Sequence, residues 1–215
     1  MNDTLPELSL LETRILGTLV EKQRTVPDTY PLSVNALQAG CNQKTSRNPV
    51  METTEAEILV ALDDLKEKGW VREVSGSRVS RFEHQVEKVL GVPTQASALL
   101  TVLMLRGAQT AGELRLNCER LYRFADISSV EAFLEELAGR ADGPLVIELP
   151  RLPGARESRW MHLLSGQPLT EAGQASARPV AHGTQEMDEL RARVAALEAE
   201  MAELRNLVRR AVDQS

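Results

Sequence analysis

Lys44 and Arg47, interleaved with the amides Gln43 and Asn48, sit within "GCNQKTSRNPV", residues 40–50. Cations at that spacing can hold phosphate oxygens, and side-chain amides can read base edges. More cations fall on two runs that read as hairpins: Arg72, Arg78 and Arg81 in the first, Arg151, Arg156 and Arg159 in the second. Arg115, Arg120 and Arg123 follow between two helical patterns. The chemistry these types predict is contact with nucleic acid through Gln43, Lys44, Arg47, Asn48, Arg78, Arg81, Arg151, Arg156 and Arg159. The competing reading is structural. Arginines on loops and edge strands also keep those edges soluble. Asn42, Gln43 and Asn48 can equally bond the backbone of a long turn.

Nothing in the chain reads as catalytic. His84, His162 and His182 are isolated, and no His, Cys or carboxylate group has metal-ligand spacing. Asp63–Asp64 and Glu135–Glu136 are adjacent on predicted helices, where neighbours in sequence do not face each other. Phosphate-binding glycine motifs and a nucleophile elbow are both missing. The expectation is a non-enzymatic protein without cofactor or metal.

The formal net charge of −6 argues against a broad, non-specific nucleic-acid binder and leaves room for a local basic patch. Aromatic residues make up 3%, so the core must be built from Leu, Val and Ala. Two cysteines, Cys41 and Cys118, are too few for a disulfide framework. The start, "MNDTLPELSL", lacks the basic and apolar regions of a signal peptide. The longest apolar run, "ASALLTVLML", is about half of what a membrane span needs. A cytoplasmic protein that does not enter membranes is expected.

The elements that must position these residues are written mainly in helix caps. Ser9 with Glu12, and Thr54 with Glu57, are capping boxes. Ser33 opens a short helix that Gly40 should stop. "WVREVSGSRVSRFEH" reads as a hairpin around Gly76. The second half repeats this order. Starts fall at Thr94, at Thr110 with Glu113, and at Ser128 with Glu131, before a hairpin around "RLPGAR". The third start precedes its strand by 16 residues in both copies, 54 to 70 and 128 to 144. Three helices followed by a hairpin, seen twice, is the order of tandem winged helix-turn-helix domains. In that fold the third helix usually enters the major groove. Here both third helices are acidic: Glu55, Glu57, Asp63, Asp64 and Glu67 in the first, Glu131, Glu135 and Glu136 in the second. The residue 40–53 stretch is an insertion in the turn before the first of them.

After Ser165 the chain turns rich in Gly, Ala, Ser and Pro and reads as a linker. Heptads follow. Met187, Val194, Met201 and Val208 take the a positions, and Leu190, Leu197 and Leu204 the d positions. This seam, with Arg193 facing Glu198 and Glu200 facing Arg205 across a pair, predicts a parallel coiled-coil homodimer. The alternative is an amphipathic helix that folds back on its own domain.

Several motifs carry a resemblance. "ETRILGTLVEK", "VPDTYPLSVNAL", "CNQKTSRNPVM", "ALDDLKEKGWV", "RFEH", "LLTVLMLRGAQTAGELR" and "LPRLPGARESRWMHLL" look like the YceH-like family of uncharacterised bacterial proteins, over roughly residues 5 to 165. The resemblance implies two tandem winged-helix domains and no catalytic residues. The expected fold is therefore mainly α with small β-hairpins. A first winged-helix domain covers 1–90 and a second 91–165, with a linker over 166–184 and a coiled-coil helix over 185–213. The leading functional expectation is a DNA-binding transcriptional regulator. The alternative is a protein–protein interaction scaffold that uses its acidic surfaces.

Overall fold

A computed structural model describes residues 6–75 and 79–167. The heptad prediction and all but the first two residues of the predicted linker, with Arg78 and Gly76, lie outside the described residues. Helices and small hairpins build the chain: α1 (Leu10–Thr25), α2 (Val34–Cys41), α3 (Glu55–Glu67), β1 (Val71–Ser75), β2 (Ser80–His84), α4 (Val86–Leu90), α5 (Thr94–Arg106), α6 (Ala111–Asn117), α7 (Ile127–Ala138), β3 (Val146–Leu149) and β4 (Arg159–His162). This is a mixed α and β architecture in which each hairpin is a two-stranded antiparallel sheet.

Local chemistry explains most of the helix starts. Ser9–Glu12, Thr54–Glu57 and Thr110–Glu113 each form a reciprocal capping box. Ser33 caps α2 by accepting from the Ala36 amide. Three sequence expectations shift. Helix α7 starts earlier than Ser128, because the Asp126 carboxylate accepts from both the amide and the hydroxyl of Ser129. A charged acceptor two residues earlier starts the helix before the Ser128 hydroxyl can cap it. Cap to strand therefore runs from Thr54 to Val71 in the first half and from Asp126 to Val146 in the second, so the equal spacing does not hold. Thr94 is the first residue of α5 rather than its cap, which is Pro93. Gly40 does not stop α2, which continues to Cys41. Its glycine serves packing instead: a Cβ there would lie 2.5 Å from Thr18 Cγ2 on α1.

The halves share a further feature that the sequence reading missed. Leu32, just before α2, pairs with Phe82 of β2 through two backbone bonds of 3.1 and 2.8 Å. Gln109, just before α6, pairs with Trp160 of β4 through bonds of 3.0 and 2.7 Å. Each hairpin thus gains a one-residue third strand from the segment that leads into the second helix of its half. The symmetry extends to the strand ends. Val71 pairs with His84, Val146 with His162, and both histidines are buried.

Both halves meet along their first helices. Helix α1 packs more extensively on α5 than on any other helix. Every residue from Glu12 to Val20 on α1 is buried, as is every one from Ala96 to Leu105 on α5. A helix covered on all sides has no polar face to show, which explains the continuous apolar run of α5. The crossing is close, because a Cβ on Gly17 would sit 2.9 Å from Leu105. Leu99, Leu100 and Leu103 are fully buried here, and truncating such a leucine to alanine costs about 2–5 kcal/mol. All described residues belong to one compact unit.

Candidate nucleic-acid interface

The residue 42–54 loop joins α2 to α3 and is anchored at both ends and in the middle. At its ends, the Asn42 side-chain oxygen accepts from the amide and hydroxyl of Thr53, each at 2.9 Å. Its amide group donates to the Thr53 carbonyl at 2.8 Å. One asparagine therefore closes the loop. In the middle, Arg14 of α1 donates to the carbonyls of Cys41 (3.1 Å) and Pro49 (2.7 Å). Arg14 is fully buried and has no carboxylate partner among the described residues. Burial lowers its pKa, and the nearby Arg47 charge adds to that. Towards the second half, the Asn48 amide donates to Leu105 O at 2.8 Å, and Arg106 donates to the Ser46 hydroxyl at 2.7 Å. Ser46 has φ of 60°, the left-handed region. That conformation costs a non-glycine residue about 1–2 kcal/mol, and the bonds on either side hold it in place.

Arg47 points inward. Its side chain is 0% exposed and donates to Glu21 Oε1 (3.1 Å), Glu21 Oε2 (2.6 Å), Gly40 O (3.0 Å) and Ser46 O (2.9 Å). Burial raises the Glu21 pKa, but the hydrogen bonds and charge of Arg47, aided by Lys22, outweigh it and keep the carboxylate ionised. Held this way, the guanidinium is engaged by the fold and does not face a ligand. Lys44 and Asn48 are exposed, and Gln43 is half-buried.

The hairpin cations divide similarly. Arg72 pairs with Glu83 across the first hairpin. Arg81 is exposed and donates to Pro31 O at 2.7 Å. In the second hairpin Arg151 touches Ser158 at 3.4 Å, Arg156 is exposed and Arg159 is half-buried. None of these three has an ion pair among the described residues. Arg120 and Arg123, in the turn after α6, are exposed as well.

The third helices offer phosphate little. Glu55, Glu57, Asp63, Asp64 and Glu67 of α3 are exposed, together with Leu59 and Val60 at 45% and 64%. Lys66 is engaged by Asp63 and Glu73, and Lys68, just past the helix end, by Glu12. Helix α7 exposes Glu131, Glu135 and Glu136.

Among the described residues the thiols and histidines are buried. Burial pushes the Cys41 thiol up to about 11 and the Cys118 thiol to about 12, which leaves both as poor nucleophiles. Burial pushes His84 and His162 down to about 4. His84 bonds Gln23 Oε1 through Nε2 at 2.7 Å and accepts the Val86 amide at Nδ1, so it is a neutral packing histidine. Among the described residues no group of His, Cys, Asp and Glu could hold a metal ion, and no helix is long and apolar enough to cross a membrane.

A sequence profile of the family described as "Protein of unknown function, DUF480" matches residues 8–155. The chain belongs to that family. The DUF480 match spans α1 to the loop after β3, so it includes the loop and both halves of the shared core. Among its relatives, a UPF0502 protein of Dechloromonas aromatica (strain RCB) is 78% identical over 208 residues, 97% of each chain. A UPF0502 protein of Burkholderia pseudomallei (strain 668) is 60% identical over 205 residues, 95% of this chain and 87% of the relative. One from Burkholderia ambifaria (strain MC40-6) is 59% identical over 214 residues, 96% of this chain and 88% of the relative. The YceH-like resemblance read from the motifs agrees with this membership.

Sequence reasoning missed Arg14, Glu21 and Arg106 as the residues that hold the loop. One signal was present. Arg14 interrupts the apolar stripe of "LLETRILGTLV", and a cation on a core-facing stripe needs partners from elsewhere.

Proposed function

We propose that this DUF480 protein is a non-enzymatic, tandem winged-helix transcriptional regulator that binds DNA through its loop and wings. In this reading β1–β2 and β3–β4 are the wings, and the Leu32 and Gln109 bridges are the short third strands of each winged sheet. It pairs as a cytoplasmic homodimer through residues 185–213 and uses no cofactor.

The observation that carries the reading is where the unpaired cations lie. Lys44, Arg120, Arg123, Arg151 and Arg156 are exposed and make no ion pair among the described residues. The two third helices face solvent with carboxylates, which repel phosphate. Contact therefore runs through the loop and wings, with the third helices held away from the groove. Fluorescence anisotropy of a labelled random duplex at low salt tests this. Lys44→Ala, Arg151→Ala and Arg156→Ala should each weaken binding and lower the salt slope by about 1. Absence of binding at low salt removes the proposal. For the homodimer, the full chain should sediment at twice the mass of a chain ending at Gly183.

A second reading is favoured by one feature. Leu59 and Val60 are exposed on α3 amid five carboxylates, a face that suits a basic, apolar protein surface better than DNA. A scaffold acting through it loses its partner on Val60→Asp while the Lys44 variant keeps it.

A further inference from the structure

Where the loop meets the end of α5 and the turn after α6, a cleft of about 540 Å³ opens between the two halves. Its volume is typical of small-ligand sites. Four cations from four separate segments converge on it: Lys22 of α1, Lys44 of the loop, Arg106 of α5 and Arg120 of the turn. Glu21 supplies the carboxylate of the lining, and the buried Arg47 behind it already takes both of its oxygens. Lys22 approaches the same carboxylate at 3.4 Å, a looser contact. The local balance is strongly positive in a chain whose net charge is −6.

Like charges gathered in a concave site repel one another unless an anion joins them. The fold nevertheless brings them together at some cost, since Arg106 reaches the hydroxyl of Ser46, a residue held at positive φ. That bond uses one N–H of Arg106, and the guanidinium forks of Arg106 and Arg120 match phosphate oxygens in pairs. Neutral donors, Gln43 and Asn117, stand beside them. The apolar surface of the cleft comes from Val26, which is exposed, and the half-buried Leu121, with the buried Val102 and Leu105 behind them, and it can pack against the body of a ligand.

We infer that this cleft binds a free phosphorylated small molecule of nucleotide size. Its phosphates lie against Lys44, Arg106 and Arg120, and its flat body lies against the apolar wall. The concave shape favours a compact ligand over a continuous backbone. The cleft shares Lys44 and Arg120 with the DNA reading, but the wing cations Arg151 and Arg156 do not line it, so variants at those two positions separate the two readings.

Isothermal titration calorimetry of the full chain with ADP, pyrophosphate and adenosine tests it. Saturable binding of ADP and pyrophosphate is expected, with adenosine much weaker. Arg106→Gln should weaken ADP by about tenfold. Because Arg106 also supports the loop, Lys44→Gln is the cleaner variant: Lys44 is exposed and makes no hydrogen bond among the described residues, and its loss should weaken ADP comparably. Lys88→Gln, an exposed cation outside the cleft, should leave ADP binding unchanged. No saturable binding of ADP or pyrophosphate overturns the inference, as does equal weakening by Lys88→Gln. Because a duplex held by the loop also meets Lys44, competition is read on the chain carrying Arg151→Ala and Arg156→Ala: displacement of ADP there by a random duplex at matched phosphate concentration overturns the inference, since the cleft would then serve a nucleic-acid backbone. Anisotropy with labelled duplex, measured on the same variants, keeps failure here distinct from failure of the DNA reading.

Discussion

Replacing Arg47 with methionine separates a residue that binds ligand from one that holds the loop. The native side chain is 0% exposed and donates four hydrogen bonds, two to Glu21 and one each to Gly40 and Ser46. Methionine fills part of the volume and donates nothing. Removing one member of a buried ion pair costs about 3–5 kcal/mol, because the other charge is left without its partner. Glu21 is 18% exposed and keeps Lys22 at 3.4 Å, so the lower end, about 3 kcal/mol, is expected. For a compact unit of this size that lowers the melting temperature by about 6–12 °C. Urea unfolding followed by circular dichroism reads the same loss as a lower midpoint with an unchanged slope. Lys44→Met, on the exposed side of the same loop, should stay within about 0.5 kcal/mol of the parent. Glu21→Met combined with Arg47→Met should recover much of the loss, since no lone charge remains. If Arg47→Met melts with the parent and instead weakens DNA as Lys44→Ala does, the inward-facing account of Arg47 is refuted.

Acid should destabilise the chain through its two strand-end histidines. Burial holds both at about 4, against an ordinary value of 6.5, so the unfolded chain takes up protons first as pH falls. Stability is intact above about pH 6.5 and declines towards pH 4, by about 3 kcal/mol per histidine. His84→Gln and His162→Gln should each flatten melting temperature against pH across that window. Both thiols should resist a disulfide reagent in the native chain and react fully in denaturant, because each is buried with a raised pKa. Gly40→Ala should cost about 1–3 kcal/mol by overpacking against Thr18. Adding Thr18→Ser, which removes the clashing methyl, should restore part of it in a double-mutant cycle.

By itself the sequence determined the family and six of the seven α-helices of the described residues, α4 being the one not read. Capping boxes at Ser9, Thr54 and Thr110 are complete within four residues, so the chain need not be folded to reveal them. The misplaced cap of α7, Ser128 for Asp126, failed on the same short scale, because the Asp126 carboxylate takes the Ser129 amide two residues before Ser128 could start a helix. The exposed carboxylates of α3 and α7 were legible because the apolar stripe of each helix defines which face turns outward.

Tertiary structure alone decided what the cations do. Lys44 and Arg47 look alike in a loop, yet Arg47 finds Glu21 on α1 and turns inward while Lys44 stays in solvent. Leu32 meets Phe82 across most of the first half, and Gln109 meets Trp160 across the second. The cleft draws its charges from segments that share no local pattern. Caps and stripes depend on chain neighbours, whereas ion pairs, strand bridges and concave charge depend on which surfaces the shared core of α1 and α5 brings face to face.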